Sequence, residues 1–203
     1  MKCFFAETLG DAWVKSMQLI CSEGTIIRDD DQNLKEICNL YISIQNIDEN
    51  DGILKAHADQ DRIRLMYEKY ATCGLVGEYN IDYGSYLYNN NGVDQIEWLK
   101  NRILDKPETK SATVTLHRPG EEKLTCLSML NFQLRDNVLN MTVVYRSQNI
   151  YASHPGNLLA LRRIQKDVAE FLSVDIGGVE LIVLSAHIYE RDFQMVEEII
   201  KCF

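Results

Sequence analysis

Apolar and polar positions alternate along some stretches of the chain and recur at helical spacing along others, and these two periods predict most of its elements. Residues 7–22 place Leu9, Ala12, Trp13, Met17 and Ile20 on one helical stripe, and Gly24 follows where a C-cap belongs, which predicts a core-packing helix. Leu40, Ile42 and Ile44 alternate with Tyr41, Ser43 and Gln45, the period of a half-buried strand. Residues 47–58, rich in Asp, Glu and Asn, read as a polar loop. Residues 59–71 read as a helix with Ile63, Met66, Tyr67 and Tyr70 turned inward. A further amphipathic helix spans residues 94–104, capped by Asp94 and carrying Ile96, Leu99 and Ile103, and a strand follows over residues 110–116.

The second half of the chain is more sharply patterned. Residues 124–134 alternate as a strand that carries Cys126, residues 135–137 turn the chain, and residues 138–145 form a second strand. Residues 157–172 put Leu158, Leu161, Ile164, Val168 and Phe171 on one helical face, with Pro155 close to the first turn and Asn157 at the start. A buried strand over residues 179–186 runs into His187 and Tyr189, and residues 191–203 close the chain as a helix. Short strands interleaved with amphipathic helices, with no Gly-rich dinucleotide turn, predict an α/β fold of the α+β type. Its sheet should be mixed or largely antiparallel, with helices packed on one face.

Composition bounds this picture. A chain of 203 residues with 46% hydrophobic content suffices for one core, so a single domain over residues 1–203 is expected. The net charge of -9 excludes a nucleic-acid groove, which draws its affinity from clustered Lys and Arg, but leaves room for a small anion at a local positive site. No apolar run reaches membrane-spanning length and the N-terminus turns acidic too soon for a signal peptide, so a cytoplasmic protein without membrane contact is expected. The six cysteines show neither CxxC nor Cys/His spacing, which predicts no metal and no disulfide framework, with most thiols reduced and buried.

Cys126, Arg146, Ser147, Asn149, Asn157, His187 and Tyr189 all fall at or near predicted element ends, where open sheets hold ligands. A cysteine there suits covalent catalysis, in which the sulfur adds to an electrophilic carbon of a substrate. The thiolate is the reactive form and needs a nearby positive charge, which Arg146 could supply while also holding a phosphate; Ser147 adds a hydroxyl donor. Taken singly, Cys126 also fits a small buried hydrophobe, Arg146 a surface ion pair, Asn157 a helix-start hydrogen bond and His187 a satisfied core histidine.

The Thr125-Cys126-Leu127 run, the strand ending in Arg146 and Ser147, the helix start at Asn157 and the run from Ser185 to Asp192 together resemble the thymidylate synthase family, in particular its short archaeal branch. The intervals between Cys126, Arg146, Asn157, His187 and Tyr189 match the family's without a gap, and the resemblance covers residues 79–193. It implies that Cys126 is the nucleophile, that Tyr83 in a Tyr-Gly turn lies near it, and that Arg146 and Ser147 meet the phosphate. It further implies that Asn157 reads the base, that His187 and Tyr189 bond the sugar 3'-hydroxyl, and that Asn149 stands where an aspartate contacts the pterin. Lys110 and Ser111 occupy the place of two arginines that cross a homodimer interface to the partner's phosphate. Arg28 is the candidate for a mobile-loop arginine and Glu68 for the catalytic glutamate. Trp13 and Trp98 fall outside the folate-contacting positions, and Ser153 replaces a common glycine. The activity implied is one-carbon transfer from 5,10-methylenetetrahydrofolate to a pyrimidine nucleoside monophosphate, first dUMP. A CMP or dCMP hydroxymethylase is the alternative, and a non-catalytic nucleotide-binding protein that kept the fold is an alternative of another class.

Overall fold

The computed structural model describes residues 2–29, 31–77, 82–118, 120 and 124–203. In chain order the elements are β1 (Lys2–Thr8), α1 (Leu9–Glu23), β2 (Thr25–Asp29), β3 (Gln32–Asn46), α2 (Gly52–His57), α3 (Gln60–Ala71), α4 (Tyr83–Tyr88), α5 (Gln95–Asp105), β4 (Thr113–Thr115), β5 (Leu127–Arg135), β6 (Val138–Tyr145), β7 (Gln148–Asn149), α6 (Ile150–Leu172), β8 (Asp175–Tyr189), a 3-10 turn (Glu190–Asp192) and α7 (Phe193–Ile200).

The strands form one mixed sheet in the order β1-β3-β8-β6-β5-β4, with β2 added to β3 and β7 to β8. The pairs β1/β3, β6/β8 and β7/β8 are parallel and the others antiparallel. The inward set of β3, Leu40, Ile42 and Ile44, joins Val143 of β6 and Leu181 and Val183 of β8 in a core closed by α1 and α6. The outer face is half-buried and mixed. There the Tyr41 hydroxyl (2.6 Å) and the Ser43 hydroxyl (3.0 Å) donate to the Glu180 carboxylate, beside Ile182, Val144 and the exposed Leu184.

The β5/β6 hairpin follows the sequence pattern closely. Asp136 and Asn137 adopt φ of 49° and 63°, the pair of left-handed conformations that a two-residue primed turn requires and that Asp and Asn tolerate better than most residues. The edge strands β1 and β2 were not expected; only Ala6 is buried in β1 and no residue is buried in β2, so neither carries a readable alternation. The polar loop over residues 47–58 contains a short helix, because Asp51 caps α2 through Ile53 N and Leu54 N while its other oxygen accepts from Gly10 N of α1 at 2.8 Å. The strand expected over residues 110–116 shortens to β4, and β8 extends beyond residues 179–186 at both ends. Four of the six cysteines, Cys3, Cys38, Cys73 and Cys202, are exposed rather than buried, and all six are free.

The largest correction concerns α6, which begins at Ile150 and not at Asn157. Asn149 is its N-cap, with Oδ1 accepting from Ala152 N at 3.0 Å, so Asn157 lies two turns inside. Pro155 is therefore interior. A proline there removes the hydrogen bond to the carbonyl four residues back, that of Tyr151. The buried Trp13 indole replaces the missing donor: Nε1 lies 3.2 Å from Tyr151 O and 2.9 Å from Ile150 O. One tryptophan of α1 thus makes it possible for the helix to run through a proline.

Candidate active site

Cys126 does not lie within a strand. It occupies a bend just ahead of β5, and the surrounding backbone is pinned from three sides. The buried Thr125 hydroxyl reaches Leu127 O at 2.6 Å and Leu116 O at 3.1 Å. Arg146 N donates to Cys126 O at 2.9 Å, while Arg146 Nε and Nη2 donate to Thr125 O and Leu124 O, each at 2.9 Å. A register shift between Leu127 and Met129 adds a bulge beside the bend, the kind of irregularity that re-aims a side chain. The half-buried thiol accepts from Ser147 Oγ at 3.7 Å. The exposed Arg146 guanidinium is thus spent partly on carbonyls of the bend, and none of its bonds goes to the sulfur.

Two close approaches build the opposite wall. Gly156 of α6 packs on α3 so tightly that an added Cβ would lie 2.7 Å from Met66 Cγ, and a Cβ on Gly84 of α4 would collide with the Thr72 carbonyl at the end of α3. The first contact brings the buried Tyr70 hydroxyl to 3.3 Å from Asn157 Oδ1 and 2.6 Å from the Tyr145 hydroxyl; when Tyr70 donates to Asn157, Tyr145 donates to Tyr70. The second sets the Tyr83 ring edge-on to Tyr70, with centroids 4.8 Å apart. Burial pushes the Tyr83 hydroxyl well above the ordinary tyrosine range, the Cys126 sulfur adds to this, and the backbone amides of Leu127 and Cys126 oppose it. Tyr83 opens the short helix α4 rather than a turn; Glu78, Tyr79, Asn80 and Ile81 of the expected turn lie outside the described residues.

Lys69 shares this wall. Its side chain is 7% exposed and its ammonium lies 4.2 Å from the centroid of the Tyr83 ring. Burial lowers the amine to about 8, and the Cys126 sulfur acts in the opposite sense. Sequence reasoning selected Glu68, which is exposed, and passed over its neighbour. The available signal was spacing: Lys69 is three residues from Met66 on the stripe that turns inward. Tyr70, Tyr145 and Thr125 are further members of the site that pattern alone assigns to packing.

His187 and Tyr189 leave β8 at the same end of the sheet, their rings edge to face with centroids 5.1 Å apart. His187 is buried, which lowers its pKa, while its Nδ1 lies 3.3 Å from Ser185 O. Asn149 pairs with His187 through β7, and Ser153 lies half-buried in the first turns of α6. Two candidates, Lys110 and Arg28, stand apart from this group. Lys110 is exposed on the bend before β4, where Arg102 Nη2 donates to the adjacent Ser111 Oγ at 3.0 Å. Arg28 lies on β2, not on a loop, and pairs with Asp31 at 2.8 Å; Asp30 lies outside the described residues. Trp98 is exposed on α5, and Trp13 is buried against α6. A cavity of about 450 Å³ opens elsewhere, lined by Thr8, Asn46, Asp48 and Asp51, whose carboxylates disfavour an anion; no candidate residue borders it.

Comparison with known proteins accords with this geometry. A family model described as thymidylate synthase matches residues 18–202. Relatives bearing the name "Putative thymidylate synthase" include that of Methanosarcina mazei, 32% identical over 97% of this chain and 93% of the relative. Those of Methanococcoides burtonii and Methanosarcina acetivorans are 28% and 30% identical, with the same two coverages.

Proposed function

Because the chain belongs to the thymidylate synthase family, we propose that it transfers a one-carbon unit from 5,10-methylenetetrahydrofolate to C5 of a pyrimidine nucleoside monophosphate, and that the reaction is methylation of dUMP. The observation that carries this reading is the half-buried Cys126 thiol on its pinned bend, with the Ser147 hydroxyl at 3.7 Å. The sulfur adds to C6, the C5–C6 electron pair moves onto the C4 carbonyl, and C5 becomes the nucleophile. After C5 has bonded to the one-carbon unit, its hydrogen would leave as a proton and the bond from that unit to the folate nitrogen would break; hydride from the tetrahydrofolate, which would end as dihydrofolate, would then reduce the unit to a methyl group as the sulfur departs. Arg146 and Ser147 meet the phosphate, and His187 and Tyr189 the sugar hydroxyl. Asn157 reads the base; its Oδ1, held by Tyr70, leaves Nδ2 to donate to O4, which favours uracil. Folate would supply the one-carbon unit. Of the residues near its expected place, Asn149 keeps only its side-chain NH₂ for a pterin, since Oδ1 caps α6.

A second reading, hydroxymethylation of CMP or dCMP, gains support from the polar Lys69 over the Tyr83 ring and from the tryptophans, Trp13 being buried against α6 and Trp98 exposed on α5. The two are separated by tritium release from C5-labelled dUMP, dCMP and CMP in the presence of folate, followed by product identification. Release from dUMP with a methylated product is expected. Release from a cytosine nucleotide alone would overturn the choice of base. No release from any of the three would mark a nucleotide-binding protein that kept the fold.

No helix among the described residues is long and apolar enough to cross a membrane, and work on soluble nucleotides accords with a cytoplasmic location. We further propose a homodimer with outer sheet faces packed together, supported by Ile182, Val144 and Leu184 on that face; across it Lys110 would serve the partner's phosphate. Sedimentation at micromolar concentration should give a dimer, and Leu184→Glu a monomer. A wild-type monomer with full activity would contradict this.

A further inference from the structure

A buried hydroxyl proton needs an acceptor, and the two hydroxyls next to Asn157 have only one way of finding theirs. Tyr145 is sealed in the core at 0% exposure, and among the described residues its hydroxyl bonds to the Tyr70 hydroxyl at 2.6 Å and to no other group. Tyr70, 2% exposed, has one further partner, the Asn157 side-chain amide at 3.3 Å. Burial keeps both phenols protonated. The close packing of Gly156 on Met66 holds α6 against α3 and so sets the spacing of this chain.

The amide can stand in two senses, and they are not equivalent. With Oδ1 toward Tyr70 there are two protons and two acceptors: Tyr145 donates to Tyr70, Tyr70 donates to Asn157, and every proton is placed. With the amide flipped, Nδ2 donates to Tyr70, Tyr70 must donate to Tyr145, and the Tyr145 proton is stranded in the core. A stranded buried donor bears the full desolvation cost of that group, so the flipped sense is disfavoured. In the favoured sense Nδ2 bonds nothing among the described residues and is not sealed off, which leaves it accessible as a donor.

We propose that Tyr70 is a positioning residue that locks the Asn157 amide in one sense and thereby makes the site accept one pyrimidine base and reject the other. Uracil offers N3–H and O4, a donor and an acceptor; cytosine offers N3 and its exocyclic amine, an acceptor and a donor. An amide of fixed sense matches one of these edges and not the other. The proposal rests on Asn157 being the base reader of the proposed reaction, under which the accepted base is uracil, but the lock itself does not depend on which base that is.

The test is calorimetric titration of dUMP and of dCMP into wild type, Tyr70→Phe and Tyr145→Phe. Wild type should favour one nucleotide by about tenfold or more. In Tyr70→Phe nothing holds the amide in either sense, so the two affinities should come within about threefold of each other. Tyr145→Phe should keep the wild-type ratio, whatever happens to its overall affinity, because the Tyr70 proton still has Asn157 Oδ1 as its acceptor. General damage to the core would move both variants alike, since each loses one buried hydroxyl. A Tyr70→Phe protein that keeps the wild-type ratio, a Tyr145→Phe protein that loses it, or a wild type that binds both nucleotides equally would overturn the proposal. The last outcome is decisive even if a variant fails to fold. A wild type that prefers dCMP, with that preference lost in Tyr70→Phe, would support the lock and overturn uracil as the base of the proposed reaction.

Discussion

Lys69→Met should be more stable than the wild-type protein at pH 7, by about 2 kcal/mol in urea unfolding. The folded state holds the amine at about 8 against an ordinary 10.5, so it binds that proton less tightly than the unfolded chain does. Below pH 8 both states are protonated and the folded state bears the whole penalty. Between about 8 and 10.5 only the unfolded chain keeps the proton, so stability rises with pH, and above 10.5 the penalty is gone. The difference amounts to roughly 3 kcal/mol, less about 1 kcal/mol for the contacts the ammonium makes, that with the Tyr83 ring among them. Methionine matches the length of the lysine stem and packs without a charge. The wild-type stability curve should therefore climb above pH 8 while the variant's stays flat. A destabilised variant at pH 7 would mean that hydrogen bonds to the ammonium outweigh its burial.

Cys126→Ser should lose C5 tritium release by a factor on the order of 10³ or more, since a hydroxyl is a far poorer nucleophile than a thiolate. Cys126→Ala should still bind the nucleotide within a few-fold of wild type. On the proposed assignment Arg146, Ser147, Asn157, His187 and Tyr189 would meet the phosphate, base and sugar without the thiol, and the bend is pinned through backbone carbonyls that alanine keeps. A variant that lost binding and turnover together would show that Cys126 holds the site's shape rather than performing its chemistry.

Where one physical cause acts alone, the sequence is readable. The strand over residues 138–145 is found with its bounds intact, because alternation and the Asp136–Asn137 turn agree. The start of α6 is missed because Ser153, Pro155 and Gly156 all argue locally for a boundary, and the compensating donor, Trp13 Nε1, is more than a hundred residues away in the chain. Tertiary packing overrides the local preference there. The candidate site divides along the same line. Of the candidates read at element ends, Cys126 and Ser147 are brought together and His187 and Tyr189 leave β8 side by side, whereas Asn157 lies two turns inside α6 and meets Tyr70. Lys69 is not legible, because a lysine on a helix is taken as solvent-facing unless its neighbours are known. Only the crossing of α3 with α6 at Gly156 and its contact with α4 at Gly84 turns that face inward. Glu68, one residue away, carries the more suggestive side chain and faces solvent.

The central claim, that the Cys126 sulfur bonds to C6 of a pyrimidine nucleotide, is tested most directly by intact mass of the protein incubated with a 5-fluoro nucleotide and methylenetetrahydrofolate. Fluorine at C5 cannot leave as a proton once the one-carbon unit is attached, so the sequence should stop with all three partners joined. Wild-type protein should show the mass of that covalent ternary adduct, peptide mapping should place it on Cys126, and Cys126→Ser should show none. An adduct that forms equally well in the serine variant, or that maps to Cys73 or another cysteine, would contradict the account.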